Sequence, residues 1–184
     1  MRLVHAAASL LVLLAVAACG GDDARSLSAD GPVVLVVSEA GSPGGPVPRE
    51  EGLYANYGVE LDNARAFTRV DLVGLPWRQI TTDFPAGGET RTFDGPRLAD
   101  VLDAADLEVE AVRIVSLDGY EAQIPVDFIE THGAILAIRV DGAPLATGAL
   151  GPLMVVWPRR DNGPLSDMGD ELWPWGVFAI APAE

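Results

Sequence analysis

The sequence predicts an α+β domain, a mixed β-sheet with a few short helices. Three observations carry that expectation. Short β-rich runs lie between turn signals, most plainly Val33–Val37 and the two segments flanking Asp118-Gly119. One amphipathic helix is well patterned, with Leu98, Val101, Leu102 and Ala105 at i, i+3, i+4 and i+7. Strand and helix signals follow each other in mixed order, with no internal repeat.

Taken in order, Val33–Val37 is a continuous apolar, mostly β-branched run and reads as a buried strand. Residues 39–58 carry Gly, Pro and charge without periodicity and read as a long loop. Val59–Leu61 is a short strand or nothing. Residues 67–75 read as a short helix ended by Pro76, and Trp77–Thr82 as a strand. Gly95-Pro96 places a proline at an expected first helical position, followed by the amphipathic helix of about three turns. Val109–Leu117 and Tyr120–Ile124 form a hairpin about Asp118-Gly119. Pro125 opens a second short helix through Thr131. Ala134–Val140 is another strand, closed by Asp141-Gly142. Leu153–Trp157 is an apolar run after Gly151-Pro152, a polar loop covers 158–171, and Trp173–Ile180 is the last strand.

Composition narrows the classes of function. A chain of 184 residues is of single-domain size, and 49% hydrophobic residues supply a core, which excludes global disorder. A formal charge of −15 argues against nucleic acid as a partner, because phosphate binding needs a basic footprint. One cysteine excludes an internal disulfide and any cysteine-rich zinc or iron–sulfur site. All 12 basic residues are arginine, a bias attributed to a GC-rich genome.

The N-terminus reads as an address. Met1-Arg2 is a short positive region, and Ala6–Ala18 is a run of small and apolar residues, too short to span a bilayer comfortably. It ends in Val16-Ala17-Ala18-Cys19, which resembles a bacterial lipobox, whose cysteine accepts a diacylglycerol and becomes the new N-terminus. An ordinary secretory signal with an incidental cysteine is the alternative. The expectation is a signal peptide over 1–18, lipidation at Cys19, a tether over 19–32 and a domain over 33–184, exported and lipid-anchored on the periplasmic or extracellular face.

From about Phe67 to Ala181 the order of signals resembles the sulfite oxidase-type molybdopterin-binding domain, in its small exported bacterial form. The resemblance rests on Thr92-Phe93-Asp94-Gly95-Pro96-Arg97-Leu98 through Leu102, Ser116-Leu117-Asp118-Gly119-Tyr120 with Ile124-Pro125, Ala134–Ala137 through Asp141-Gly142-Ala143-Pro144-Leu145, and Gly151-Pro152-Leu153-Met154-Val155-Val156. It implies a mixed sheet with a cleft where relatives hold the pterin and its metal. In the family a cysteine thiolate, on the strand before the Phe-x-Gly-x-x-Leu motif, also holds the molybdenum. Here that strand reads Trp77-Arg78-Gln79-Ile80-Thr81-Thr82-Asp83. Thr82 or Asp83 would be a harder and poorer ligand than a thiolate.

The candidate ligand-binding residues are Asp118, Tyr120, Arg159 and Arg160. Adjacent guanidiniums at 159 and 160 are suited to gripping an oxyanion, or are a solvated loop among acids. Asp118 and Tyr120 border the cleft in relatives, or serve only hairpin geometry. Trp77, Trp157, Trp173 and Trp175 are read as packing before ligand stacking, and His132 as a helix C-terminal residue. Asp100, Asp103 and Asp106 are read as a solvated helix face, with no calcium loop. No metal site and no catalytic residue is expected. The expected function is a lipid-anchored accessory domain that binds a small ligand or periplasmic protein partner without a cofactor. The alternatives are a molybdopterin-dependent oxidoreductase lacking the cysteine ligand, and a purely structural envelope protein.

Overall fold

The computed structural model describes residues 31–46, 48–49 and 51–183. The expected signal peptide, Cys19 and most of the expected tether lie outside the described residues. In chain order the elements are β1 (Val33–Val37), α1 (Glu51–Asn56), β2 (Arg65–Thr68), α2 (Arg69–Val73), β3 (Trp77–Asp83), β4 (Thr90–Pro96), α3 (Leu98–Ala105), β5 (Ala111–Ser116), β6 (Glu121–Pro125), α4 (Val126–His132), β7 (Ile135–Ala137), β8 (Arg139–Val140), β9 (Ala143–Pro144), β10 (Met154–Val156) and β11 (Val177–Pro182). Single 3₁₀ turns cover Gly163–Leu165 and Asp170–Leu172.

The strands make three sheets, ordered β2-β1-β11-β5-β6, β3-β4-β8-β9 and β10-β7. Among the strands of the described residues, β1 and β11 are the one pair that runs parallel. The continuous apolar run of β1 is explained by burial on both faces. Leu35 and Val37 point into the main core, while Val36 joins a smaller cluster with Tyr54, Ala66, Val115 and Phe178. The main core gathers α3, α4, β7 and β10 around Leu98, Ile129, Leu136 and Trp157.

Several expected boundaries need correction. Residues 39–58 are not all loop, because α1 forms where Tyr54 packs on Phe178 at 5.4 Å. Residues 67–75 are not one helix. Arg65–Thr68 extends to pair with β1, and Thr68 then caps α2, exchanging hydrogen bonds with Asp71. Pro96 does not begin a helix; it ends β4 opposite Trp77, and Arg97 takes the cap position. The expected strand over 134–140 breaks at Ile138, whose amide donates to the Asp94 carbonyl, so β7 and β8 enter different sheets. The last strand starts at Val177 rather than Trp173, and the 158–171 loop contains a 3₁₀ turn.

Two close approaches fix how the layers meet. A Cβ at Gly95 would collide with the Leu136 carbonyl oxygen and lie 2.8 Å from the Ala137 Cα, so only glycine lets β4 cross β7 here. Arg69 donates to the carbonyls of Ile138, Leu145 and Pro152 at 3.2–3.4 Å, tying α2 to three distant segments. Burial pushes its pKa down.

Candidate functional site

Three segments converge at the end of β3: the turn Asp83–Gly88, the chain Trp157–Arg160 leaving β10, and the stretch from Ser166 to Trp173. Arg159 joins them. Its side chain is 4% exposed. Its Nε donates to Asp83 Oδ1 at 3.2 Å, and its Nη2 to the Asp83 carbonyl at 2.6 Å. Nη1 donates to the Met168 carbonyl at 2.9 Å and to Asp170 Oδ1 at 3.0 Å. The guanidinium carbon also lies 4.4 Å from the centre of the Trp173 ring, which stacks on Phe84 at 5.6 Å.

Both carboxylates have further work. Asp83 accepts from the Gly87 amide at 2.6 Å, and Asp170 accepts from the Ala86 amide at 2.9 and 3.0 Å. Partial burial pushes the Asp83 carboxyl up. The Gly87 amide, the Arg159 guanidinium and its own backbone amide outweigh that effect and hold it below the ordinary aspartate value. Asp83 is therefore ionised at neutral pH, and the cluster holds one buried cation between two anions.

Arg160 is exposed and donates to the Thr90 hydroxyl. It lines a cleft of about 250 Å³ together with Asp83, Ala86, Gly87, Arg159 and Ser166. A guanidinium has five N–H donors, and this single bond uses one of them. The cleft therefore offers one donor-rich cation at its rim over a floor already neutralised by internal pairing.

The structure separates the four candidate residues. Arg159 and Arg160 do not form a paired anion grip, and Arg159 is not in a solvated loop. Asp118 accepts from the Tyr120 amide at 3.0 Å within the hairpin turn. The Tyr120 hydroxyl donates to the Glu171 carbonyl at 2.6 Å, tying that turn to the segment that carries Asp170. Asp170 and Ser166 were not singled out from sequence, because nothing local distinguishes them from other loop residues. His132 ends α4 as expected, its ring tilted against Phe128 at 4.3 Å between centres and its Nδ1 3.2 Å from Asn162 Nδ2. Trp157 and Trp173 are buried; the Trp157 indole donates to the Leu172 carbonyl at 2.6 Å. Among the described residues no group of three His, Cys, Asp or Glu side chains converges as a metal site.

The mixed sheet with its few short helices is that of a molybdopterin-binding oxidoreductase-type domain. The chain belongs to the family described as the oxidoreductase molybdopterin binding domain, whose model matches residues 61–160. Among solved structures it is similar to the sulfane dehydrogenase SoxCD from Paracoccus pantotrophus, with a TM-score of 0.54 at 14% identity. That similarity, which is one of fold, covers 86% of this chain and 39% of the other, so the chain spans well under half of that neighbour's length. No curated protein matches the sequence.

The resemblance implies a cysteine thiolate as the protein's ligand to the pterin-held molybdenum. No cysteine lies among the described residues. On the strand where the resemblance implies that ligand, Thr82 is fully buried, and its Oγ1 has no hydrogen-bond partner. It is a hard, neutral donor, and neighbouring Asp83 is committed to Arg159 and Gly87. The residues present do not fit the metal-bearing group at this position.

Proposed function

We propose that this chain is an exported, lipid-anchored member of the family that works without molybdenum, as an accessory domain binding a small ligand or a protein partner. The observation that carries this reading is the state of the β3 terminus. Threonine and a charge-paired aspartate stand where a thiolate is implied, and the adjacent arginine is fully engaged in holding loops together. Arg160 at the rim is the group available for a ligand, by charge an anion or a partner carboxylate. Lipidation at Cys19 would keep the acidic body at a membrane surface, since two or three acyl chains anchor stably.

Native mass spectrometry with elemental analysis tests the cofactor question. The full chain would be expressed with its own leader in a host that makes and exports the pterin. The expected result is protein without stoichiometric molybdenum. Molybdenum near one per chain, with pterin released on denaturation, would overturn the reading. Labelling with a fatty-acid probe tests the anchor, and the label should vanish in Cys19→Ser.

The second reading, an oxidoreductase holding the pterin without a cysteine, is favoured by family membership and by the unpartnered Thr82 hydroxyl. It requires turnover with an artificial electron acceptor.

A further inference from the structure

Among the described residues the exposed large apolar side chains are Tyr120 (44%) and Trp175 (40%). They occupy one end of the five-stranded sheet. The turn Leu117–Tyr120 joins β5 to β6, and the segment Glu171–Gly176 leads into β11, the strand beside β5. The two are pinned together twice. Tyr120 donates its hydroxyl to the Glu171 carbonyl, and the Leu117 amide donates to the Gly176 carbonyl at 2.9 Å. Trp175 lies one residue from the second pin, and Tyr120 makes the first. Single exposed aromatics need no explanation, but two on mutually braced turns form a preordered surface.

The exposed charges on the two turns themselves are acidic. Asp118 and Glu171 are exposed on the same two turns, and Glu121 follows Tyr120. Glu121 is paired with Arg113 at 2.7 Å, which leaves Asp118 and Glu171 as the carboxylates of these turns, and Arg159 is buried against Trp173 on its two aspartates. Aromatic faces among carboxylates attract a cation through ring electrostatics and Coulomb attraction together. The chain's charge of −15 points the same way.

We infer that Tyr120 and Trp175 form a docking surface for a basic, arginine-containing segment of a protein partner, with a guanidinium set against the Trp175 ring. This surface does not depend on the cleft at Arg160 or on whether the domain is catalytic. Trp175→Ala leaves the Arg159 cluster intact, so the two proposals fail separately.

The test is an NMR titration of the full chain with a capped peptide of three arginines spaced by glycine. A glutamate peptide of the same length serves as control. The expected result is saturable, salt-weakened binding of the basic peptide that shifts the Trp175 indole signal. Binding should weaken at least five-fold in Trp175→Ala and recover in Trp175→Phe. Absence of saturable binding would overturn the inference. So would equal binding to Trp175→Ala, shifts confined to the acidic face of α3, or binding of a free quaternary ammonium ion but not the peptide.

Discussion

Arg159 and Arg160 are neighbours in sequence with opposite places in the molecule. Arg159 is the buried floor of the cleft, where one guanidinium satisfies two carboxylates and two backbone carbonyls. Arg160 is the rim, exposed and bonded to a single hydroxyl. The floor is architecture: it ties the β3 turn to the chain before Trp173, and those loops have no sheet pairing to hold them. The rim is available for recognition. A pair of arginines in sequence is thus no evidence for a paired site, because burial decides which of them meets a ligand.

The contrast breaks most sharply at Arg159. Arg159→Ala removes the only cation from a cluster of two aspartates, and breaking a buried ion pair costs about 3–5 kcal/mol. Urea unfolding should show that loss. A loss below about 1 kcal/mol would mean that the floor contributes little to stability.

Acid should erode the same cluster more gently. The Asp83 carboxyl titrates lower in the folded chain than its unfolded value of about 3.9. The folded state therefore binds fewer protons there. Its stabilisation is full above that value and fades as pH falls through the folded pKa. Stability measured from pH 6 down to pH 3 should decline, and Asp83→Asn should decline less steeply across that window. Identical slopes would remove Asp83 from the account.

Arg160→Ala should do least to the fold, within about 0.5 kcal/mol, as for other surface changes. It should nevertheless weaken any anion that the cleft binds, measurable as lost thermal protection by that anion. A large destabilisation would make Arg160 part of the floor after all.

How much was legible in advance followed pattern strength. The helix over 98–105 and the hairpin about Asp118-Gly119 were readable because apolar spacing and turn chemistry agree there. Strand β4 was not, because Thr90–Pro96 holds Phe93 as its one large apolar residue and ends in a glycine–proline pair that imitates a helix start. The break at Ile138 was hidden inside an unbroken apolar run, since a change of sheet leaves no mark in composition. Tyr120, Arg159 and Arg160 were named from sequence and do border one another's loops. Asp170 was not, because its role arises only when the chain returns to the β3 turn. Nor was the burial of Arg159, because a charged loop residue reads as solvated until its partners are placed.

The parallel pairing of β1 with β11 has a consequence for how the sheet closes. The middle strand of the largest sheet is supplied by residues 177–182. Without that strand, β2 with β1 and β5 with β6 are two ribbons that have no pairing to each other. Two-stranded ribbons alone are marginal in water. The sheet therefore closes only once residues 177–182 are available to pair between the two ribbons.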